Sequence, residues 1–276
     1  MKIGIIGLGL MGGSFGLALK KIPNKYTLIG YDHNLQHTNQ ALELGLVDHI
    51  TFEFSEIISC DVIILTIPVD AIIKTIEKLT SVNDNCTIID FGSSKEKISN
   101  AIPAQVRHKF VTAHPMTGTE NFGPTAAVEE LYTNKTMVVC DIEKSGDFQK
   151  EVAISLFKTI KAKVVLMDAK EHDRHAAFIS HMPHAVSYAL AQSVLKQQDP
   201  KSIIALAGGG FKSMSRIAKS SPDMWEDIFR QNKENLLTSI EAFNQELALC
   251  QKMIEDESWD KLNQWMTEAN KLHDIL

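Results

Sequence analysis

The amino-acid sequence predicts an α/β chain of two units: a doubly wound, mostly parallel sheet over residues 1–168, then an all-helical unit over residues 169–276. Three observations carry that reading. Short apolar runs alternate with helical patterns as far as Asp168, and such alternation builds a parallel sheet covered on both faces. Glycines at positions 7, 9 and 12 follow the first apolar run and precede a helical pattern, which is the G-x-G-x-x-G spacing in its proper setting. Beyond Asp168 the strand signals stop and helical spacing takes over.

The first run, Lys2–Ile6, ends at Gly7. Gly7 permits a tight turn, Gly9 lets the backbone approach a pyrophosphate, and Gly12 lets helix and strand pack closely. A helix over 13–20 then offers free N–H groups and a positive dipole end to phosphates. The run Thr27–Tyr31 ends at Asp32, about twenty residues beyond Gly12. A carboxylate there accepts ribose hydroxyls and repels the extra phosphate of NADP. The expectation is a Rossmann-type first unit that binds NAD. The competing account is a tight glycine turn in a fold that binds no nucleotide, and the spacing together with Asp32 weighs against it.

Further strands are expected at Val62–Thr66, Thr87–Asp90, Phe110–Ala113, Met137–Cys140 and Val164–Met167. Val, Ile and Leu dominate several of them, as in strands buried on both faces. Helices are expected at Leu35–Leu44, closed by Gly45, and at Ala71–Leu79, Lys95–Ala101 and Phe148–Ile160. In the second unit one long helix runs from Ala169 to about Gln197, kinked at Pro183. Helices at Ser202–Leu206, Asp223–Cys250 (with room for a break) and Trp259–Leu272 follow. Ile228, Leu236, Ile240, Phe243, Leu247 and Ile254 recur at roughly helical spacing. Intramolecular core is their first use. About a hundred helical residues make a thin core, so a subunit interface is a second use of the same stripe.

The chain has 276 residues, 44% apolar and 22% charged, an ordinary globular composition. Its net charge of −6 argues against general affinity for nucleic acid or an anionic membrane surface, so an anionic ligand must be gathered by a local pocket. Cys60, Cys86, Cys140 and Cys250 are far apart and form no C-x-x-C pair, which argues against a zinc ribbon or redox motif. Reduced thiols in a cytoplasmic protein are the simplest account. The stretch Lys2–Lys20 lacks a small-residue cleavage site and its glycines are phased, unlike a secretory leader. No apolar stretch is long enough to span a bilayer.

In a doubly wound sheet, ligands bind beyond the carboxyl ends of the strands. Thr66-Ile67-Pro68 stands there as either a plain turn or a cofactor contact. Ser93, after Asp90, either caps the next helix or offers its hydroxyl to a substrate. His114 sits at a strand end in a Pro/Gly-rich loop, and its near-neutral pKa suits proton abstraction from an alcohol. The alternative is a surface loop histidine. His172, His175, His181 and His184 form the most unusual stretch. His181 and His184 share a helix face with Ala177 and Tyr188. Zinc ligation, polar substrate contacts and bonds to neighbouring helices all remain open for these four, although no Glu or Cys partner stands at a familiar metal spacing. Gly208–Gly210 read as a flexible turn ahead of Lys212 and Arg216, and arginine matches a carboxylate bidentately. An ordinary solvated arginine is the plainer reading.

Taken in order, GLGLMGGS at Gly7–Ser14, GSSK at Gly92–Lys95, HPMTGTE at His114–Glu120, HDR at His172–Arg174, SHMPH at Ser180–His184 and GGGFKSMSRIAKSSPDMW at Gly208–Trp225 resemble the prephenate dehydrogenase family. The resemblance covers nearly the whole chain. It implies an NAD-dependent oxidative decarboxylation of prephenate to 4-hydroxyphenylpyruvate in tyrosine biosynthesis, or the corresponding reaction of arogenate giving tyrosine directly. It implies that His114 accepts the ring-hydroxyl proton and that Ser93 orients that hydroxyl, the imidazole and the nicotinamide. By the same resemblance His184 contacts the substrate from the helical unit, Arg216 pairs with the ring carboxylate, and Glu120 gates the pocket. Gly7, Gly9, Leu10, Met11, Gly12, Asp32, Thr66 and Pro68 are the cofactor contacts, and no metal is implied. Family members dimerise through the helical unit, so a homodimer is expected. The end at Leu276 leads to the expectation of no ACT regulatory domain, and the start at Met1 to that of no fused chorismate mutase. Lys212, Ser213, Met214 and Thr117 vary the pocket lining, which leaves prephenate against arogenate open. His172, His175 and His181 receive no role.

Overall fold

The computed structural model describes residues 1–275. Strand β1 (Lys2–Ile6) leads into α1 (Leu10–Lys20), β2 (Thr27–Tyr31), α2 (Leu35–Glu43), β3 (His49–Ile50), α3 (Phe54–Ile58), β4 (Val62–Leu65), α4 (Val69–Ile76), β5 (Thr87–Asp90) and α5 (Glu96–Ala101). Then come β6 (Phe110–Pro115), β7 (Thr136–Cys140), α6 (Asp147–Thr159) and β8 (Lys163–Met167). The strands form one eight-stranded sheet in the order β3-β2-β1-β4-β5-β6-β7-β8. Neighbouring strands pair in parallel except β6 and β7, which are antiparallel. The expected doubly wound, mostly parallel sheet is therefore present. The strand order reverses between β1 and β4, and such a switch point opens a crevice at the carboxyl ends of the strands.

Alternate strand residues feed two cores, as the period-2 geometry of a strand requires. Ile3, Ile5, Val62 and Ile64 pack with Phe15 of α1, Phe91, Tyr132 and Phe157 of α6 on one face. Ile6, Ile63, Leu65 and Ile88 pack with Ile57, Ile72 and Ile98 on the other. Fully burying each such side chain contributes about 1.5–3 kcal/mol, so both faces are committed.

Several sequence expectations need correcting. Helix α1 starts at Leu10, not at residue 13, because Gly9 in extended backbone is its cap and the second and third glycines of the motif run into the helix. Strand β3 and helix α3 were not anticipated; two and five residues are too short for a period to register.

The second unit comprises α7 (Ala169–Ala176), a π-helical turn (Ala177–His181), α8 (Met182–Leu195), α9 (Pro200–Ala205), α10 (Gly209–Ser215), α11 (Pro222–Gln231), α12 (Lys233–Glu255) and α13 (Trp259–Asn270). The long helix expected over 169–197 is thus interrupted by the π turn just ahead of Pro183, whose missing N–H the wider turn accommodates. The glycine run expected as a turn instead opens α10, with Gly208 as its cap. The expected stretch Asp223–Cys250 breaks at Asn232. The apolar stripe divides: Ile228 and Leu236 are buried, whereas Leu247 and Ile254 are exposed. Among the described residues no helix is long and apolar enough to cross a membrane.

Candidate active site

The turn after β1 is fixed by its glycines. Gly7 has φ of +96° and donates its N–H to the Tyr31 carbonyl at 2.9 Å. A Cβ on Gly12 would lie 2.0 Å from the Gly7 carbonyl oxygen, so α1 packs on the turn as closely as backbone permits. A Cβ on Gly9 would meet nothing within 4 Å, so the turn is open on its outer side. Helix α1 has no side-chain cap, which leaves its first N–H groups for a ligand. A dinucleotide phosphate fits this cradle. At the end of β2, buried Asp32 accepts N–H bonds from Leu8 and Asn34, each at 2.9 Å, and so is held beside the turn. Thr66 donates its hydroxyl to the Gly7 carbonyl at 2.7 Å and ties the loop after β4 to the turn. Tyr132, fully buried, donates to the Met11 carbonyl at 2.6 Å and buttresses the start of α1.

One cavity of about 560 Å³ runs from this cradle to the helical unit. Gly9, Leu10, Met11, Thr66 and Pro68 line its cofactor end. Ser93, His114, Glu120, His184 and Arg216 line the same space from the β5 loop, the end of β6, the loop beyond it, α8 and the segment after α10. Residues from five separate stretches thus converge. Gly7 and Gly12 shape the turn behind the wall, and Asp32 lies outside the cavity. Lys212, noted beside Arg216, does not line the cavity and is exposed.

His114 occupies β6 itself, as its fifth residue. Its Nδ1 is 2.8 Å from Nε2 of His172, and its Nε2 has no hydrogen-bond partner among the described residues. Burial, followed by the neighbouring His172, Lys95 and His181, pushes its imidazole well below the ordinary histidine range. It is therefore neutral at physiological pH and able to accept a proton. Behind it, Lys95 is fully buried, bonds the Asp90 carboxylate and donates to the Ala113 carbonyl at 2.7 Å. Burial also pushes the Asp90 carboxyl up, against the pull of Lys95.

Ser93 does not cap α5. That helix begins at Glu96, and its first N–H groups at Lys95 and Glu96 are taken by the carboxylate of Asp173, at 2.7 and 3.0 Å. The cap comes from another helix, which leaves the Ser93 side of the loop to the cavity.

The four histidines of the second unit have different surroundings. His172 is buried and bridges His114 and Asp173, its Nδ1 lying 2.8 Å from Asp173 Oδ1. His175 is exposed beside Glu171. His181 is buried with its Nδ1 3.2 Å from Asn232 Nδ2, and burial lowers its pKa to about 4. His184 stacks on Trp225 with centroids 3.4 Å apart, and its Nδ1 is 2.9 Å from the Ser180 carbonyl. Burial lowers the His184 pKa as well. Across the cavity Arg216 pairs with Glu120 at 2.9 Å, in a position exposed enough for solvent to weaken the pair. The Glu120 carboxylate is held below its usual range by its own backbone N–H and then by Arg216. The sequence pointed to His172 only as part of an odd histidine cluster; its contact with His114, 58 positions away, left no local signal.

The family model for the prephenate dehydrogenase nucleotide-binding domain matches residues 15–166. The model for the prephenate dehydrogenase dimerization domain matches residues 168–268. A prephenate dehydrogenase of Bacillus subtilis is 31% identical over 280 residues, covering 99% of this chain and 75% of that protein. The crystal structure of Aquifex aeolicus prephenate dehydrogenase with hydroxyphenyl propionate and NAD+ superposes with a TM-score of 0.92 at 31% identity, covering 100% of this chain and 98% of the other. A Synechocystis arogenate dehydrogenase superposes at 0.82 with 29% identity, over 99% of each chain. With both of its units matched and relatives aligned over its full length, the chain belongs to the prephenate dehydrogenase family.

Proposed function

We propose that this chain catalyses the NAD-dependent oxidative decarboxylation of prephenate to 4-hydroxyphenylpyruvate. The observation that carries the reading is a single cavity holding the open glycine cradle at one end and the His114 imidazole and Arg216 guanidinium further along. NAD bound in the cradle supplies the acceptor for the hydride on the ring carbon that bears the hydroxyl. His114 Nε2 takes the hydroxyl proton, the electron pair of the departing carboxylate bond flows into the ring as carbon dioxide leaves, and the imidazolium then returns the proton to the phenolate oxygen. Aromatisation drives the step, so the protein mainly aligns the partners and removes one proton.

Ser93 orients the hydroxyl, the imidazole and the nicotinamide, a role in keeping with its lining the same cavity as His114. His184, held flat against Trp225, contacts the substrate from the helical unit. Arg216 exchanges its Glu120 partner for the ring carboxylate, which it binds without reacting; Glu120 thereby gates the entrance. Asp32 selects NAD over NADP, and Gly7, Gly9, Leu10, Met11, Gly12, Thr66 and Pro68 form the rest of the cofactor site. The two units divide at 168/169. The exposed apolar residues of the second unit, Leu247, Leu249, Ile254 and Trp259 among them, suit a homodimer interface, in keeping with the dimerization-domain match. The setting is cytoplasmic, consistent with four free cysteines.

Arogenate is the second reading, favoured by the overlap with the Synechocystis enzyme. A spectrophotometric assay crossing prephenate and arogenate with NAD and NADP decides both questions. NADH formation with prephenate supports the first reading, turnover of arogenate alone supports the second, and no turnover of either defeats both.

A further inference from the structure

Resting on the assignment of His114 as the base, we propose that His172 and Asp173 are positioning residues that lock His114 in the tautomer with a bare Nε2 facing the cavity. Asp173 is buried, and its two oxygens accept the N–H groups of Lys95 and Glu96 at the start of α5, at 2.7 and 3.0 Å. Both oxygens are thereby engaged as acceptors. His172 Nδ1 faces Oδ1 of that carboxylate at 2.8 Å, so Nδ1 carries the proton. A neutral His172 then has a bare Nε2. That nitrogen is 2.8 Å from His114 Nδ1, so His114 donates there. Its remaining nitrogen, Nε2, is left with a lone pair toward the cavity. The opposite tautomer would set two lone pairs against each other inside a buried site, which the low local dielectric strongly disfavours.

The lock is assembled from both units. His114 lies on β6, whereas His172 and Asp173 lie on α7. Asn232, between α11 and α12, donates to the Asp173 carbonyl at 2.6 Å and holds α7 from behind. Lys95, through the Ala113 carbonyl, fixes the residue before the base. The charged and titratable groups around His114 are therefore His172 and, beyond it, Asp173, with His181 in the π turn and the Lys95–Asp90 pair behind β6. The base acquires its working tautomer only when the helical unit is docked on the sheet. This is the arrangement in which a carboxylate holds an imidazole in register without itself taking a proton, here extended by one more imidazole.

Nitrogen-15 NMR of the histidine side chains at neutral pH reads the tautomer directly and needs no turnover. The expected result is a His114 protonated at Nδ1 and bare at Nε2 in the parent, and a mixture of tautomers in His172→Leu. In that variant kcat falls roughly 100-fold while KM stays within about threefold, the range for losing an oriented base. The acidic limb of the kcat/KM profile moves to higher pH, because one of the neighbours that hold the His114 imidazole below its ordinary range is gone. His172→Gln, whose side-chain oxygen replaces Nε2 as the acceptor, restores most of the loss. A purely structural role would lower activity and leave both the tautomer and the acidic limb in place. A His114 protonated at Nε2 in the parent overturns the proposal, and so does a His172→Leu enzyme with the parent tautomer and kcat. A parent chain that turns over neither prephenate nor arogenate defeats the functional reading instead, and leaves the tautomer measurement standing as its own test.

Discussion

Replacing Gly12 by alanine sets a methyl group against the backbone of the turn that Gly12 closes. The added Cβ would lie 2.0 Å from the Gly7 carbonyl oxygen and 2.6 Å from Thr66 Oγ1, against about 3.4 Å for ordinary contact. The carbonyl cannot swing away, because Gly7 is pinned to Tyr31 and Thr66 is bonded to that same oxygen. Helix α1 must therefore retreat by more than an ångström. Overpacking of this kind costs about 1–3 kcal/mol. At about 2–4 °C per kcal/mol for a chain of this size, the melting midpoint drops by several degrees. The same retreat pulls the helix N-terminus off the phosphate, and a misplacement of about 1 Å costs roughly 100-fold in function. Gly9→Ala is the matched control, since its Cβ meets no protein atom within 4 Å and Gly9 lines the cavity. Calorimetric NAD binding and thermal unfolding on both variants read the two effects apart. Gly12→Ala should lose stability and affinity together, and Gly9→Ala should lose affinity at an unchanged midpoint. A Gly12→Ala protein with the parent midpoint and parent NAD affinity refutes the reasoning.

Asp32→Ser should reduce discrimination between NAD and NADP by about 1–3 kcal/mol, the worth of a charged hydrogen bond, read as the ratio of kcat/KM for the two cofactors. Arg216→Lys keeps the charge and loses the planar fork, so KM for the substrate should rise roughly tenfold or more with kcat little changed; an unaltered KM would remove Arg216 from the carboxylate site. His181 has a folded pKa of about 4, below the ordinary histidine value because of burial. The unfolded chain therefore binds that proton first, so stability is full above about pH 6.5 and is lost as pH falls toward 4, by about 3 kcal/mol for this one group. Urea unfolding at several pH values should show that loss, and His181→Phe should flatten it; an equal slope in the variant would mean that other groups carry it.

The sheet was legible because its strands are buried on both faces, and runs such as Val62–Leu65 leave an uninterrupted apolar signal. The glycine turn was legible because its constraints are local: a positive φ at Gly7 and a backbone approach at Gly12 belong to residues a few positions apart. Strand β3 escaped because two residues at a sheet edge carry no period. The π turn escaped because one widened turn shifts the register without altering composition. The network behind His114 escaped for a different reason. Its bonds join positions far apart in the chain, His114 to His172 and Lys95 to Asp173, and no spacing rule reaches that distance. Asp173 serves as the cap of α5 and the partner of His172 at once, and only the folded chain brings these together.

The central claim is that the His114 imidazole is the proton acceptor in the cavity shared with the cofactor cradle. The direct test is steady-state NADH formation from prephenate and NAD by His114→Asn, alongside calorimetric substrate binding by the same variant. Asparagine retains an amide where Nδ1 meets His172 but offers no basic nitrogen to the cavity. The account predicts a kcat lower by about 10²–10⁴-fold with substrate affinity within a few-fold of the parent. A variant that turns over near the parent rate contradicts it.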